Sequence, residues 1–298
     1  MLSERANEPS KMIKSDPQSV LETLLVRCRE KWTPCGDGEM VWRVWGAEDA
    51  ARTVILLHGG FGAWNHWVRN IPTLETRYRT IVPDLPGCGD SSEAPKPYDA
   101  ESLAAILSDG LDIVVPHEKR FDLVSFSFGG VLSGLLARLQ ARRIQALTLV
   151  GSPILGLTGS GPANELVEVP PGLPPEESAP LYRHNLQKLM VCDPKAADDL
   201  ALLIQTENMS KARLRSRGIA RTSILAESLR DLPCPLRCIF GDKDVTLDPD
   251  LPGIRTFVEQ IQPGAPFHII SDAGHWVQFE AADHVNELLP TLIDQSTR

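Results

Sequence analysis

The sequence has few cysteines, and their spacing excludes two classes of protein. Six cysteines are spread over 298 residues, at positions 28, 35, 88, 192, 234 and 238. Zinc sites need ligands at short, regular spacings, and small secreted proteins need a dense set of disulfides. Neither pattern is present here. We therefore expect thiols that serve packing, and neither a metal nor a cofactor.

The sequence also lacks basic runs and long apolar runs. Acidic residues number 39 against 30 basic ones, a net charge of -9 that does not suit a polyanionic partner such as nucleic acid. Residues 1–16 are polar and have no apolar signal core, and no continuously apolar stretch is long enough to span a membrane. This composition predicts a soluble, cytoplasmic protein with no membrane partner, and it leaves a homo-oligomer open.

Short apolar segments dominate what is present. A helix is expected near residues 17–29, and residues 39–45 alternate apolar and polar side chains as a half-buried strand does. Runs typical of strands buried on both faces lie at residues 53–57, 80–82, 121–124, 146–150, 236–240 and 267–270. With 42% hydrophobic residues to fill a large core, the pattern predicts an α/β protein with a mostly parallel sheet and helices on both faces.

One interval breaks this regular spacing. Residues 151–235 contain no convincing strand; a Gly- and Pro-rich stretch is followed by helices expected at 181–190 and 196–208, the second continuing towards Arg221. An insertion at the carboxyl ends of the strands of an open α/β sheet lies over its ligand site. We therefore expect a helical cap at residues 152–231, on a core of residues 1–151 and 232–298. A peripheral helical decoration is the alternative.

Ser127 lies where an apolar strand breaks into a tight turn before a helix. It is the central residue of Ser-Phe-Ser-Phe-Gly, and the small residues at 125 and 129 allow the strand and the helix to approach each other. Such a turn lifts a hydroxyl clear of the backbone and places it at a helix N-terminus, which favours negative charge. The pattern is typical of a nucleophile elbow, although an ordinary strand-to-helix turn can share it.

A base and an acid follow Ser127 in the chain. His275 lies in a Gly-containing loop directly after the last expected strand, where it can reach the carboxyl edge of the sheet and exchange a proton near neutral pH. The loop after the preceding strand offers two carboxylates, Asp242 and Asp244. We favour Asp244 because the turn at Gly241 needs a residue or two before a side chain can point back to the histidine. Asp242 remains the alternative.

A glycine-rich loop follows the strand at residues 53–57. In His58-Gly59-Gly60 the backbone can approach a substrate closely, so the N–H groups of Gly60 and of Phe128, just after Ser127, are candidates for an oxyanion hole. A phosphate-binding loop is less well supported, because the spacing and the final Lys-Ser/Thr of such loops are missing. We expect His58 to form structural hydrogen bonds.

Together these motifs resemble the α/β-hydrolase superfamily, in which the triad follows the order Ser, Asp, His. The segment 84–91 also resembles its Asp-x-Pro-Gly-x-Gly-x-Ser loop, and the resemblance runs from about residue 41 to 293 outside the cap. It implies the α/β-hydrolase fold, with a helical cap inserted after the sixth strand, and a small-molecule carbonyl substrate. A serine at the elbow excludes the dehalogenase and epoxide hydrolase branches, which use aspartate.

Within the serine branch, Gly274-His-Trp-Val-Gln-Phe-Glu280 resembles the meta-cleavage-product hydrolases and related esterases. The former cleave a carbon–carbon bond of vinylogous diketones, and the resemblance places Trp276 in the pocket. Aromatic residues clustered around the motifs suggest an apolar pocket, with Phe61 as a further candidate. Phe126 and Trp67 are expected in the core, with Phe126 facing away from the elbow. The cap arginines are candidates either for a carboxylate clamp or for a solvated face: Arg183, Arg213, Arg215, Arg217 and Arg221.

The reaction stays open at this stage. The glycine loop lacks the Gly-Pro-Gly element usual in meta-cleavage-product hydrolases, and no arginine falls at residues 205–208, where their substrate-binding arginine is expected. Hydrolysis of a carbon–carbon bond and of an ester or lactone are therefore equally tenable. Two further alternatives keep the fold: a ligand-binding protein without catalysis and a cofactor-free perhydrolase.

Overall fold

The computed structural model describes residues 16–157, 165–247 and 250–295. Within these ranges the strands form one sheet in the order β1-β2-β4-β3-β5-β6-β7-β8. Their bounds are β1 (Arg29–Cys35), β2 (Gly38–Trp45), β3 (Thr53–Leu57), β4 (Arg79–Pro83), β5 (Phe121–Phe126), β6 (Ile144–Val150), β7 (Leu236–Gly241) and β8 (Phe267–Ile270). β2 pairs antiparallel with both β1 and β4, and the other neighbours pair in parallel.

Helices occupy the connections between these strands. Their bounds are α1 (Pro17–Arg27), α2 (Ile71–Leu74), α3 (Ala100–Val114), α4 (Phe128–Leu139), α5 (Pro175–Leu189), α6 (Asp199–Lys211), α7 (Arg217–Ala220), α8 (Ile224–Arg230), α9 (Leu251–Ile261), α10 (Val277–Glu280) and α11 (Ala282–Gln295). Short 3-10 helices lie at Trp64–Trp67 and Pro194–Ala196. In the described part of the chain, no helix is both long and apolar enough to cross a bilayer.

The strands expected from the sequence are present, and one more is found. β1 is an edge strand whose first residues, Arg29, Glu30 and Lys31, are charged and largely exposed. Charge along an exposed edge opposes pairing with another chain. A charged strand contains no apolar run, so the sequence pattern did not predict β1. The helix expected at residues 17–29 ends at Arg27, which leaves the chain free to enter β1.

The sheet is buried on both faces because its strands alternate their side chains between two apolar clusters. Ile55 and Leu57 of β3 pack with α3, α4, α8 and α9, whereas Val54 and Leu56 pack with α1, α2 and α11. All five residues of β3 are buried. A mostly parallel sheet covered by helices on both faces is therefore confirmed, and it directs the carboxyl ends of β3, β5, β6, β7 and β8 to one edge.

The helical segment between β6 and β7 contains α5, α6, α7 and α8. The helix expected to continue to Arg221 ends instead at Lys211, and an extended stretch leads to the short α7. Leu214 in that stretch is buried against Gly87 of the Asp84–Ser91 loop. Both Arg213 and Leu214 also donate backbone N–H groups to the Gly87 carbonyl, and these contacts explain the break. α8 packs on α4 through Leu225 and Leu229.

Candidate active site

The turn between β5 and α4 presents Ser127 in a strained conformation. Its φ of 50° and ψ of -119° lie outside the regions that L-residues prefer, a strain that clusters at functional sites. Two glycines allow the turn to close: a Cβ on Gly129 would lie 2.6 Å from the carbonyl oxygen of His58, and one on Gly130 would collide with the Ser152 hydroxyl. The elbow expected from the sequence is thus built by close backbone packing.

His275 connects Ser127 to a carboxylate. Its Nε2 lies 2.9 Å from Ser127 Oγ, and its Nδ1 lies 2.8 Å from Asp244 Oδ2. His275 and Asp244 are 6% and 4% exposed, so bulk water competes little for these contacts. The structure therefore brings together the hydroxyl, imidazole and carboxylate that the sequence analysis selected.

Asp244 is held by a residue that the sequence analysis did not single out. Thr246 donates its backbone N–H (2.9 Å) and its hydroxyl (2.7 Å) to Asp244 Oδ1, which leaves Oδ2 for the histidine. The Thr246 hydroxyl also lies 3.1 Å from His275 Nδ1. An aspartate followed two residues later by a donor is the signature of an Asx turn, so the pattern was present in the sequence. Asp242 is instead exposed and forms an ion pair with Lys243 at 3.1 Å.

The two candidate oxyanion donors border the same space as Ser127. Phe128 is the first residue of α4, so its N–H has no acceptor within the helix. Gly60 lies in the turn after β3, close enough that a Cβ on it would be 3.6 Å from Phe128 Cβ. Both residues line the cavity that contains Ser127, so their N–H groups remain the candidates for an oxyanion hole.

Two buried histidines support this glycine loop. His58 lies between the carbonyl of Gly59 (2.7 Å from Nδ1) and the N–H of Leu85, which donates to Nε2 at 2.9 Å. The N–H of Gly59 points to His66 Nδ1 at 3.3 Å. The expected structural role of His58 is confirmed, and its hydrogen bonds join the loop after β3 to the loop after β4.

Because His58 and His66 are buried, we expect the free energy of unfolding to depend on pH. Burial lowers the pKa of His58, and burial together with the nearby His58 and His275 lowers the pKa of His66 well below its usual value. The unfolded chain takes up these protons near pH 6.5, before the folded chain does. The free energy of unfolding should therefore fall as the pH drops below about 6.5, by roughly 1.4 kcal/mol per histidine and pH unit between the two pKa values.

Thermal or urea unfolding between pH 7.5 and 5 measures this slope. His66→Gln, which retains a neutral acceptor, should flatten it, whereas His117→Gln should not, because His117 is exposed. An unchanged slope in His66→Gln would show that other groups cause the loss of stability in acid.

A cavity of about 150 Å³ lies over Ser127 and His275. Phe61 lines it, as expected, and so do residues from between β6 and β7: Leu157, Leu166, Leu189, Met190, Ser216, Arg217, Ala220 and Arg221. A second cavity of about 440 Å³ adjoins it and shares Gly60, Phe61, Leu166, Leu189, Met190 and Arg217. The walls are mostly apolar, with polar groups at a few points, as in small-molecule sites.

Two aromatic residues differ from the sequence-based expectation. Trp276 is fully buried behind His275: its indole N–H donates to the His66 carbonyl at 3.0 Å, and its ring stacks on Phe279. These contacts indicate packing and leave none of the ring at the cavity. Phe126 does not face away from the elbow but lines the cavity, with its ring centroid 4.9 Å from that of His275. Trp67 is buried in the core, as expected.

The arginines that the sequence analysis expected in the cap have different surroundings. Arg217 and Arg221 line the Ser127 cavity, because a spacing of four residues places them on one side of the α7 turn. Arg183 forms an ion pair with Asp199 at 2.9 Å, and Arg213 donates to the Ser91 carbonyl. Sequence spacing could not show which of the later arginines line the cavity, because the break after Lys211 decides it.

The cysteines of this chain are all free thiols. Burial raises the pKa of Cys88 and of Cys234 to about 12, so both remain protonated and act as packing groups, as expected. Cys192 differs from this expectation because it is exposed. Among the residues that the structure describes, no three His, Cys, Asp or Glu side chains lie close enough to hold a metal ion.

Known proteins share both the sequence pattern and the fold. A sequence model described as the Alpha/beta hydrolase family matches residues 54–288. A 2-hydroxy-6-oxononadienedioate/2-hydroxy-6-oxononatrienedioate hydrolase of Paraburkholderia xenovorans (strain LB400) is 28% identical over 279 residues, covering 85% of this chain and 91% of the relative. The dihydrolipoyllysine-residue acetyltransferase component of the acetoin cleaving system of Pseudomonas putida is 29% identical over 248 residues, covering 78% of this chain but only 61% of that protein.

A solved structure supports the architecture independently. A mutant of CumD, a meta-cleavage product hydrolase, superimposes with a TM-score of 0.69 and 22% identity, covering 89% of this chain and 98% of that one. At this identity the likeness concerns the fold. Because the family model covers well over half of its residues, the chain belongs to the alpha/beta hydrolase family.

Proposed function

We propose that the chain is a serine hydrolase in which Ser127 is the nucleophile, His275 the base and Asp244 the residue that orients the imidazole. The observation that carries this proposal is the continuous hydrogen-bonded chain from Ser127 Oγ through His275 to Asp244, at a cavity large enough for a small substrate. Each contact is within hydrogen-bond distance, and strain at Ser127 keeps the hydroxyl aimed at the cavity.

In the first half of the reaction, His275 Nε2 accepts the hydroxyl proton as Ser127 Oγ attacks the substrate carbonyl. The carbonyl oxygen becomes negative and accepts hydrogen bonds from the N–H groups of Gly60 and Phe128, each worth about 3 to 4 kcal/mol in enzymes of this type. His275 then returns its proton to the leaving group, and an acyl-enzyme on Ser127 remains. In the second half, His275 activates a water molecule, which releases the acid and restores the serine.

The cavity supports a substrate that carries a carboxylate. Its walls are apolar apart from the reacting groups, Ser216, Thr246 and the guanidinium groups of Arg217 and Arg221. A planar guanidinium binds a carboxylate with two parallel hydrogen bonds. The name of the relative from Paraburkholderia xenovorans refers to dicarboxylates of the dienoate type. We therefore place a carbonyl compound with a nearby carboxylate first among substrate classes.

Two bonds could be broken in such a substrate. In a dienoate ring-fission product the bond is carbon–carbon, and an enol-to-keto shift must precede attack so that the leaving carbon can accept the electron pair and a proton. In an ester or lactone the leaving group is an oxygen and no such shift is needed. Arg217 and Arg221 favour the dienoate, because its carboxylate offers them an anionic partner and a neutral ester offers none.

We also propose that the segment at residues 152–231 acts as the cap over this site. It supplies Leu157, Leu189, Met190 and Arg217 to the cavity wall, so the substrate lies between the cap and the sheet edge. Its last helix, α8, packs on α4 and continues the core layer. The part that encloses substrate is therefore the portion before α8.

Removing the cavity arginines should weaken binding of anionic substrates selectively. We expect Arg217→Ala and Arg221→Ala each to raise KM about 10-fold for a dienoate ring-fission product, since a charged hydrogen bond at a partly exposed site is worth about 1.4 kcal/mol. The KM of a short, neutral p-nitrophenyl ester should change less than about twofold. Steady-state kinetics with both substrates measures the difference.

Arg215→Ala is the matched control, because Arg215 follows the same chain break and is exposed like Arg217 and Arg221, but it does not line the Ser127 cavity. An equal rise of KM for the neutral ester in the two cavity variants would contradict carboxylate recognition. In the wild-type enzyme, a clear preference for the ester would move the assignment from carbon–carbon cleavage to ester hydrolysis.

A fluorophosphonate probe tests the serine chemistry itself. It phosphonylates serines activated by a histidine, so it should label the wild-type protein at Ser127. No labelling would instead favour a ligand-binding protein that keeps the fold. Turnover that requires peroxide and occurs without ester cleavage would favour the perhydrolase alternative.

A further inference from the structure

Glu280 accepts three backbone hydrogen bonds beside the proposed base. It is the last residue of α10, five positions after His275, and it is half-buried. Its carboxylate accepts from the N–H groups of Gly274 at 2.7 Å, Cys192 at 2.9 Å and Asp193 at 2.6 Å. Gly274 belongs to the loop that carries His275, whereas Cys192 and Asp193 belong to the segment between β6 and β7. One side chain thus joins two distant parts of the chain.

Hydrogen bonds fix the peptides on both sides of His275. The N–H of Gly274, before the histidine, donates to Glu280, and the N–H of Trp276, after it, donates to the Met190 carbonyl at 2.7 Å. A Cβ on Gly274 would lie 2.8 Å from the backbone nitrogen of Cys192, so the two segments are in backbone contact. Because Met190 lines both cavities, the cavity wall and the base share this contact.

The hydrogen bonds at Glu280 require a carboxylate. Three N–H donors converge on Glu280, and an ionised carboxylate offers only acceptors. A glutamine would turn an NH₂ group towards one of these N–H groups and leave a donor without an acceptor. Both carboxylate oxygens of Glu280 take part, because the Cys192 N–H lies 2.9 Å from each of them.

We propose that Glu280 is a positioning residue that couples the cap to His275. By fixing the peptide before the histidine, it keeps Nε2 directed at Ser127 Oγ, and by holding residues 190–193 it keeps the cavity wall against the same loop. It touches neither the substrate space nor the reacting atoms. This inference rests on the proposed function, because it assumes that His275 is the base.

The test measures acylation directly. The rate constant for labelling by a fluorophosphonate probe should fall between about 10- and 100-fold in Glu280→Gln and Glu280→Ala, as expected for a small misplacement of a catalytic group. Both variants are assayed at a temperature at which circular dichroism shows them folded. Hydrogen exchange of the Gly274, Cys192 and Asp193 amides should accelerate in the same variants. Glu287→Gln is the control, because Glu287 is an exposed residue of α11.

The outcomes separate this inference from the proposed function. Wild-type acylation rates in folded Glu280→Gln and Glu280→Ala would overturn the positioning role, even if both variants melt at lower temperature. If they do not accumulate as folded protein, Glu280→Asp, which keeps the charge but shortens the reach, is judged by the same rate criterion. Equal labelling of Ser127→Ala and wild type would overturn the serine mechanism itself. Loss of labelling in Ser127→Ala with normal labelling in the Glu280 variants would overturn only the positioning role.

Discussion

Replacing Ser127 by alanine should lower turnover of every substrate by at least about 10⁴-fold, because it removes the hydroxyl that lies against His275 Nε2, where the proposed acyl-enzyme forms. The fold should be retained. Alanine at this position adopts the same strained backbone as serine, with φ near 50°, and removes only the hydroxyl that lies 2.9 Å from His275 Nε2. Fluorophosphonate labelling should disappear in the same variant.

Turnover, mass-spectrometric labelling and melting temperature are the measurements. Ser133→Ala is the matched control: Ser133 is also a buried serine of α4, and its hydroxyl donates to the Gly130 carbonyl at 2.8 Å. It should keep wild-type labelling. Near-wild-type turnover of any substrate by Ser127→Ala would contradict its role as nucleophile.

Asp244→Asn should cause the second large loss, about 10⁴-fold in kcat near neutral pH. Asp244 accepts from His275 Nδ1 and, on its other oxygen, from two donors of Thr246. With the Thr246 donors keeping the amide oxygen in place, the amide nitrogen of an asparagine would face the imidazole and donate to it. The histidine would then carry its proton on Nε2, where it can no longer accept one from Ser127.

Asp242→Asn tests the choice between the two carboxylates. Asp242 is two residues away in the same loop, but it is paired with Lys243, whereas His275 Nδ1 lies against Asp244. Its kcat should stay within about threefold of wild type. A large loss in Asp242→Asn together with a small loss in Asp244→Asn would reverse the assignment, and pH–rate profiles of both variants would show which carboxylate affects the histidine.

Much of this site follows from local sequence rules. Each triad candidate lies at or just beyond the end of a strand: Ser127 after β5, Asp244 after β7 and His275 after β8. Because these strands are parallel and end at the same sheet edge, the sheet brings the three residues together regardless of the intervening sequence. Small residues around Ser127 and glycines after β3 signal close backbone approach. These features depend on steric and periodic constraints that the sequence states directly.

Other features depend on packing between distant segments. Which of the cap arginines reach the cavity is decided by the chain break after Lys211, where Leu214 is buried against the loop at Gly87. The Trp276 side chain lies in the core because its indole N–H donates to the His66 carbonyl and its ring stacks on Phe279. The role of Glu280 arises from contact with residues 192 and 193, which the sequence separates from it by 88 and 87 positions. No local pattern contains these partners.

The order of the sheet has a consequence for biosynthesis. Ser127 follows β5, in the middle of the sheet, whereas Asp244 and His275 follow β7 and β8, which complete it at one edge. His275, the proposed base, is 148 residues beyond Ser127, so a chain emerging from the ribosome contains the serine before it contains the histidine. Under the proposed mechanism, a chain in which β8 has not yet docked carries a hydroxyl without its base. That mechanism therefore makes completed folding the condition for reactivity at Ser127.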